Sequence, residues 1–172
     1  MQHEMKNHNS AGYYSLTGQA PPSDDQRLRD SRELYPAYGS VVDRFAPAPA
    51  GTASFVSYPH VISDGPITPG QHASFLGKSH NPFFFTRDPN ASDFRLPELS
   101  LPSAISPERM ENRKEILKII DGQTRLIEES AVAQGIDDAY QKAVTMLTSK
   151  TFKNAFDLSQ ETAETEQLYG LH

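Results

Sequence analysis

The sequence has no cysteine. Disulfide scaffolds, thiolate metal centres and cysteine nucleophiles are therefore excluded, and the chain fits any redox compartment. It has no run of 18 apolar residues, so no segment is long enough to span a bilayer as a helix. A basic stretch followed by an apolar one, the mark of a secretory leader, is also missing. Positive charge is in short supply. Sixteen Lys and Arg face 22 Asp and Glu, a net charge of −6, which argues against a nucleic-acid backbone as the main partner. Apolar residues make up 37% and the mean hydropathy is −0.57. That is low for a self-sufficient globular domain, though above the level of a disordered tail.

Proline vanishes partway along the chain: all 13 lie at or before Pro107, as do seven of the 10 glycines. Residues 1–105 thus read as loop-rich with short elements, and residues 106–172 as helical. In the second part Ser106 suits an N-cap, Pro107 the first helical position and Glu108 the positive helix end. Met110, Ile116, Leu117, Ile120 and Ile127 then approximate one helical stripe. Gly135 ends this region, and a second helix is predicted from about Asp137, with Tyr140, Ala143, Val144 and Leu147 inward. Ser149 or Thr151 caps a third short helix carrying Phe152, and a last turn from Glu161 to Tyr169 stops at Gly170.

The first part offers fewer elements. Asn9 or Ser10 caps a helix through Tyr13, Tyr14 and Leu16 that ends at Gly18. Ala37 to Phe45 reads as a second helix, with Val41, Val42 and Phe45 apolar. Ser54 to Tyr58 (SFVSY) alternates and is rich in β-formers, so it is the best strand candidate. From Pro59 to about Leu96 turn signals dominate: DGP at Asp64, TPG at Thr68 and DPN at Asp88. A loop region of this length points to a lid or binding surface, and Phe75 and Phe83 to Phe85 within it require burial. The organisation expected is one partial domain. Residues 1–58 hold the first helix, the second helix and the strand, residues 59–105 a long loop, and residues 106–172 the helices.

Several phrases resemble a known family. HNSAGYYSLTGQAPP, His8 to Pro22, is similar to the nucleophile segment of sulfatases in the alkaline phosphatase superfamily, whose C-x-P-x-R pattern precedes a short helix ending in L-T-G. Leu16-Thr17-Gly18 fit that ending. YPAYGSVVDR, PGQHASFLGK, FRLPELSLP and KNAFDLS resemble the sulfatase-like proteins called domain of unknown function 1501, and the likeness covers nearly the whole chain. It implies an α/β chain that is an internal fragment of an alkaline-phosphatase-like α/β/α sandwich, with the rest of the parent chain as its neighbour. Met1 is then an internal residue, and the missing leader says nothing about export or a periplasmic location. The implied chemistry is hydrolysis of a small anionic ester, a sulfate or phosphate, with a divalent metal ion in the intact protein. The sequence departs from the pattern at three positions. His8 stands at the nucleophile, Ser10 at the proline and Gly12 at the arginine.

The candidate catalytic residues are accordingly His8, as metal ligand or base, and Ser10, the nearest hydroxyl to serve as nucleophile. Asn9 and Ser10 as plain helix caps remain the alternative. The candidate substrate-binding residues are His60, His72, Lys78 and His80. His60 follows the strand, at the edge where α/β proteins place ligands. His72 stands at the start of a short helical turn. Gly77-Lys78-Ser79-His80 resembles the sulfatase G-K-W-H phrase, in which a cation and a donor neutralise an oxyanion. Each histidine also has the simpler reading of a surface or loop residue. Asp24-Asp25 read as a solvated face beside Arg27 and Arg29, and Asp137-Asp138 as first-turn acids. No metal-carboxylate pair stands out, so the metal ligands are left open. Two readings follow: a piece of a sulfatase-like or phosphatase-like hydrolase, inactive alone, or a non-catalytic, loop-rich binding module.

Overall fold

The computed structural model describes residues 3–89, 91, 94, 106, 108, 109, 112, 115 and 131–170. The chain forms two compact units, one of Met1–Pro49 with Ala53–Arg87 and one of Ala50–Thr52 with Asp88–His172. The fold is mixed α/β, with helices at both ends of the chain and a small sheet between them in sequence.

In the first unit, α1 spans His8–Thr17 and ends at Gly18, whose φ of +70° is the left-handed conformation the sequence predicts for a terminal glycine. Its N-cap is Asn7, not Asn9 or Ser10, and Asn7 makes no side-chain capping bond. The reason lies outside the helix. Asn7 donates its side-chain amide to the Asp24 carbonyl at 3.0 Å, and the Asp24 carboxylate accepts the N–H groups of Lys6 and Asn7 at 2.9 and 3.1 Å. Asn9 and Ser10 thereby lie two and three residues beyond the N-cap, inside the first turn, and both are fully buried.

These two side chains tie α1 to the loops beside it. Asn9 Nδ2 donates to the Gln26 carbonyl at 2.7 Å, and its Oδ1 accepts from the Thr68 hydroxyl at 2.8 Å. Ser10 Oγ accepts the Asp25 N–H at 2.8 Å and donates toward the Ser23 and Asp25 carbonyls at 3.3 and 3.2 Å. Loop 62–71 is closed by Gln71, also buried. Its amide accepts the Ile62 N–H at 2.8 Å and donates to the Ile62 and Thr68 carbonyls at 2.9 and 2.7 Å. Helix and loop approach closely because Gly12 lacks a side chain: a Cβ there would lie 2.6 Å from Thr68 Cγ2. Tyr13, 1% exposed, accepts the Tyr35 N–H at 2.8 Å, and Leu34, Ala37 and Ala73 complete the apolar part of this core.

The second helix, α2, spans Tyr38–Phe45, within the helix the sequence predicts over Ala37 to Phe45. Its buried residues are Ser40 and Asp43, whereas Tyr38, Val41, Val42 and Phe45, one stripe at helical spacing, are exposed.

The predicted strand shortens to β1, Val56–Ser57, and it finds its partner inside the predicted loop. β2, Phe83–Phe84, pairs with it in parallel, Val56 opposite Phe83 and Ser57 opposite Phe84. The aromatic run therefore serves as a strand: Phe85 donates its N–H to the Ser57 carbonyl at 2.8 Å and its ring stacks on Tyr58 at 5.2 Å. Two 3-10 turns, Ser74–Leu76 and Lys78–His80, lie between the strands and pack against α2. Among the described residues the sheet has two strands, and no larger sheet is present. Proline and glycine recur through residues 59–82 and break every run long enough to add another.

In the second unit Ser106 Oγ accepts the Arg109 N–H at 3.1 Å, the bond of an N-cap. The stripe from Met110 to Ile127 lies outside the described residues. α3 spans Ala131–Thr148, so the helix runs through Gly135 instead of starting near Asp137. Asp137-Asp138 are thus not first-turn acids. One glycine costs a helix only about 1 kcal/mol, which an 18-residue helix tolerates. Of the four residues predicted inward only Val144 is buried, joined by Met146, while Tyr140 and Ala143 are exposed. Ser149 caps α4, Lys150–Asn154, accepting the Phe152 N–H at 3.1 Å. α4 packs on α3 with Phe152 buried and its ring 5.2 Å from Phe156. Thr162 caps α5, Ala163–Leu168, and Gly170 follows with φ +73°.

Four outcomes are expected of stability measurements. Asn9→Ala strands the Gln26 carbonyl and the Thr68 hydroxyl, and should cost about 2–3 kcal/mol in denaturant unfolding. A double-mutant cycle with Thr68→Val should give a coupling of about 1 kcal/mol. Phe45→Ser on the exposed stripe should change stability by less than about 0.5 kcal/mol, whereas Leu34→Ala in the core should cost about 2–4 kcal/mol.

Candidate functional site

His8 is the first residue of α1 and points outward, its side chain 81% exposed. Its Nδ1 lies 2.6 Å from Asp64 Oδ2. Asp64 stands at the tip of a narrow turn: its N–H donates to the Pro66 carbonyl at 3.2 Å, Gly65 has φ +77°, and Ser63 bridges to Ile67. Gln26 Nε2 reaches the same carboxylate oxygen at 2.8 Å and the Asp64 carbonyl at 2.7 Å. Three chain segments, around residues 8, 26 and 64, thus meet at one exposed point.

Ser10 does not share this point. It sits two residues on from His8, and residues so spaced on a helix do not face each other. Its hydroxyl is fully buried and engaged with the 23–25 backbone, away from solvent. No nucleophile-to-base hydrogen bond joins Ser10 to His8, whose ring is bonded to Asp64.

A second group surrounds α2. His80 Nδ1 lies 2.8 Å from Asp43 Oδ2, and that carboxylate is only 3% exposed. His72 Nδ1 approaches Asp30 Oδ2 to 3.1 Å, within ion-pair range but without hydrogen-bond alignment, and its ring lies 5.4 Å from Phe84. The His72 carbonyl accepts the Ala37 N–H at 2.9 Å, anchoring this loop to the start of α2. Asn81 Oδ1 accepts the Ala73 N–H at 2.9 Å and closes the loop on itself. Lys78 is exposed in the 3-10 turn that carries His80, and His60 is exposed beyond the cis peptide between Tyr58 and Pro59.

The candidate residues therefore fall into two groups by their contacts: His8 with Asp64 and Gln26, and His72 and His80 with Asp30 and Asp43. His8 and His80 bond their aspartates through Nδ1, whereas His72 Nδ1 is buried without a hydrogen bond. Sequence reasoning missed every partner in these pairs. Asp64 is visible in the sequence only as part of a DGP turn, and Asp43 as a polar residue on a helix. The one available signal was an aspartate to match each of three histidines, but the pairs are separated by 56, 42 and 37 residues.

These residues form pairs, not a ligand set. Among the described residues no group of three or more His, Asp or Glu side chains converges as a metal centre requires.

The Asp24 carboxyl, which anchors the segment leading into α1, is held below the ordinary aspartate range. The largest cause is the Lys6 N–H, followed by the Asn7 side chain. The folded value lies below the unfolded one, so the ionised clasp stabilises fully above the unfolded value of about pH 4. That contribution fades as the pH falls through the depressed folded value. Amide-proton shifts of Lys6 and Asn7 should titrate together, with a midpoint below the ordinary aspartate range. A midpoint at or above that range would contradict the clasp.

The chain matches the family model described as Protein of unknown function (DUF1501) over residues 1–172, and it belongs to that family. No curated protein and no solved structure matches it. No helix among the described residues is long and apolar enough to cross a membrane.

Proposed function

We propose that this DUF1501 chain is a segment of a sulfatase-like or phosphatase-like hydrolase acting on small anionic esters. The observation that carries the reading is the His8–Asp64 pair, at 2.6 Å, on the exposed start of α1. It stands in the stretch, His8 to Pro22, that resembles the nucleophile segment of sulfatases. An imidazole backed by a carboxylate is suited to moving a proton at an ester oxygen. His8 takes the role of base or acid there. A divalent ion in such an enzyme polarises the ester oxygen. Its ligands have to include groups beyond the pairs described above.

A specific observation favours a second reading, a binding module without turnover: the Ser10 hydroxyl is buried and already bonded. An assay separates the two. The protein is expressed from the complete reading frame that encodes this chain, and aryl phosphate and aryl sulfate are offered with and without Mn2+ or Zn2+. The hydrolase reading expects metal-dependent turnover that falls by about 100-fold or more in His8→Ala, and none from the 172 residues alone. Absence of turnover, or full activity in His8→Ala, would overturn it.

A further inference from the structure

The hydrogen bonds around His8 have a direction that can be worked out from chemistry alone. The Asp64 carbonyl can only accept, so the end of the Gln26 side chain 2.7 Å from it must be the NH2 group. The same NH2 group reaches Asp64 Oδ2 at 2.8 Å, so this oxygen is an acceptor too. An ionised carboxylate has no proton to give. The 2.6 Å contact from His8 Nδ1 to that oxygen therefore requires the proton on Nδ1.

We infer that Asp64 and Gln26 are positioning residues that hold the neutral His8 ring as its Nδ1–H tautomer, leaving a bare Nε2 lone pair facing solvent at the start of α1. Histidine side chains in water favour the other tautomer, so this one has to be selected by its surroundings. The Asp64 carboxylate selects it. Gln26 locks the carboxylate by gripping both the side chain and the main chain of the same residue.

The lock is built on buried groups. The Gln26 carbonyl is held by the fully buried Asn9 Nδ2 at 2.7 Å, next to His8 in the chain. The Asp64 turn is held by Gln71, 4% exposed, and by Thr68, 2% exposed, whose hydroxyl returns to Asn9 Oδ1. Helix start, loop 23–28 and loop 62–71 thus share one buried amide, and the exposed dyad stands on it. Surface ion pairs contribute little because both side chains must be ordered. Here the ordering is supplied from below.

The consequence is chemical. A ring fixed this way presents Nε2 as a proton acceptor, or as a single ligand to a hard or borderline cation brought by the substrate, and never as a donor while neutral. For the proposed hydrolase this makes His8 the base of the site, not its acid. That assignment rests on the hydrolase reading, whereas the tautomer stands without it.

The test is spectroscopic and needs no substrate. The 172-residue chain, 15N-labelled at histidine, is recorded by long-range 1H–15N correlation at about pH 9, above the ordinary imidazole range. His8 is expected to show a protonated Nδ1 and a pyridine-like Nε2. In Asp64→Ala the tautomer ratio should move toward Nε2–H by about tenfold or more. Asp64→Glu should restore part of the wild-type pattern. Gln26→Ala should shift the ratio the same way as Asp64→Ala but less. An Nε2–H pattern in the wild type overturns the inference even if a variant fails to fold, as does an unchanged His8 pattern in folded Asp64→Ala. A correct tautomer in a protein without esterase turnover would sink the hydrolase reading alone.

Discussion

One buried side chain, the Asn9 amide, holds the first unit in its shape. A primary amide taken out of water must satisfy a carbonyl and an NH2 group, or it costs more than it returns. Asn9 meets this demand with partners from two distant loops, the Gln26 carbonyl and the Thr68 hydroxyl. The condition is strict because both distances must close at once. It fixes the rotation of α1, so that Asn9, Ser10, Tyr13 and Thr17 turn inward and His8 turns out. It also fixes the loops, since neither has a long run of backbone ladder to hold it. The core of this unit is therefore substantially polar, which accords with a chain of only 37% hydrophobic residues.

The same demand explains what could and could not be read from the amino acids. Elements that depend on local chemistry were legible. Gly18 and Gly170 end helices, Ser106 and Ser149 cap them, and Tyr38–Phe45 is helical. Elements decided by distant partners were not. Asn9 and Ser10 look like caps because Asn and Ser favour that position, but tertiary hydrogen bonds claimed both side chains, and the Asp24 carboxylate took over the N–H groups ahead of the helix. Phe83–Phe84 lay in a stretch dense with turn signals, and only its pairing with Val56–Ser57 makes it a strand. The face of α2 was illegible for a related reason. Asp43 is drawn inward by His80, and Ser40, one turn earlier, is buried with it, so the apolar stripe faces solvent.

The candidate site was half legible in the same sense. Its histidines stand out in the sequence, and His8 to Pro22 were singled out there as resembling a sulfatase segment. The carboxylates that orient those histidines are contributed across loops, at separations no local pattern encodes. The distinction between His8 and Ser10 follows from helix geometry once the inward face is known. One serves the surface and the other the scaffold.

The central claim is that the Asn9 amide is buried and bonded at both ends. It is tested most directly by hydrogen exchange of the Asn9 side-chain NH2 protons, followed by NMR on the 172-residue chain. The account predicts two separately resolved protons that exchange on the order of a hundredfold or more slower than those of an exposed asparagine. It also predicts cross-relaxation from the Asn9 side chain to the Thr68 methyl. Exchange at the rate of a free amide, with no contact to Thr68, would contradict it.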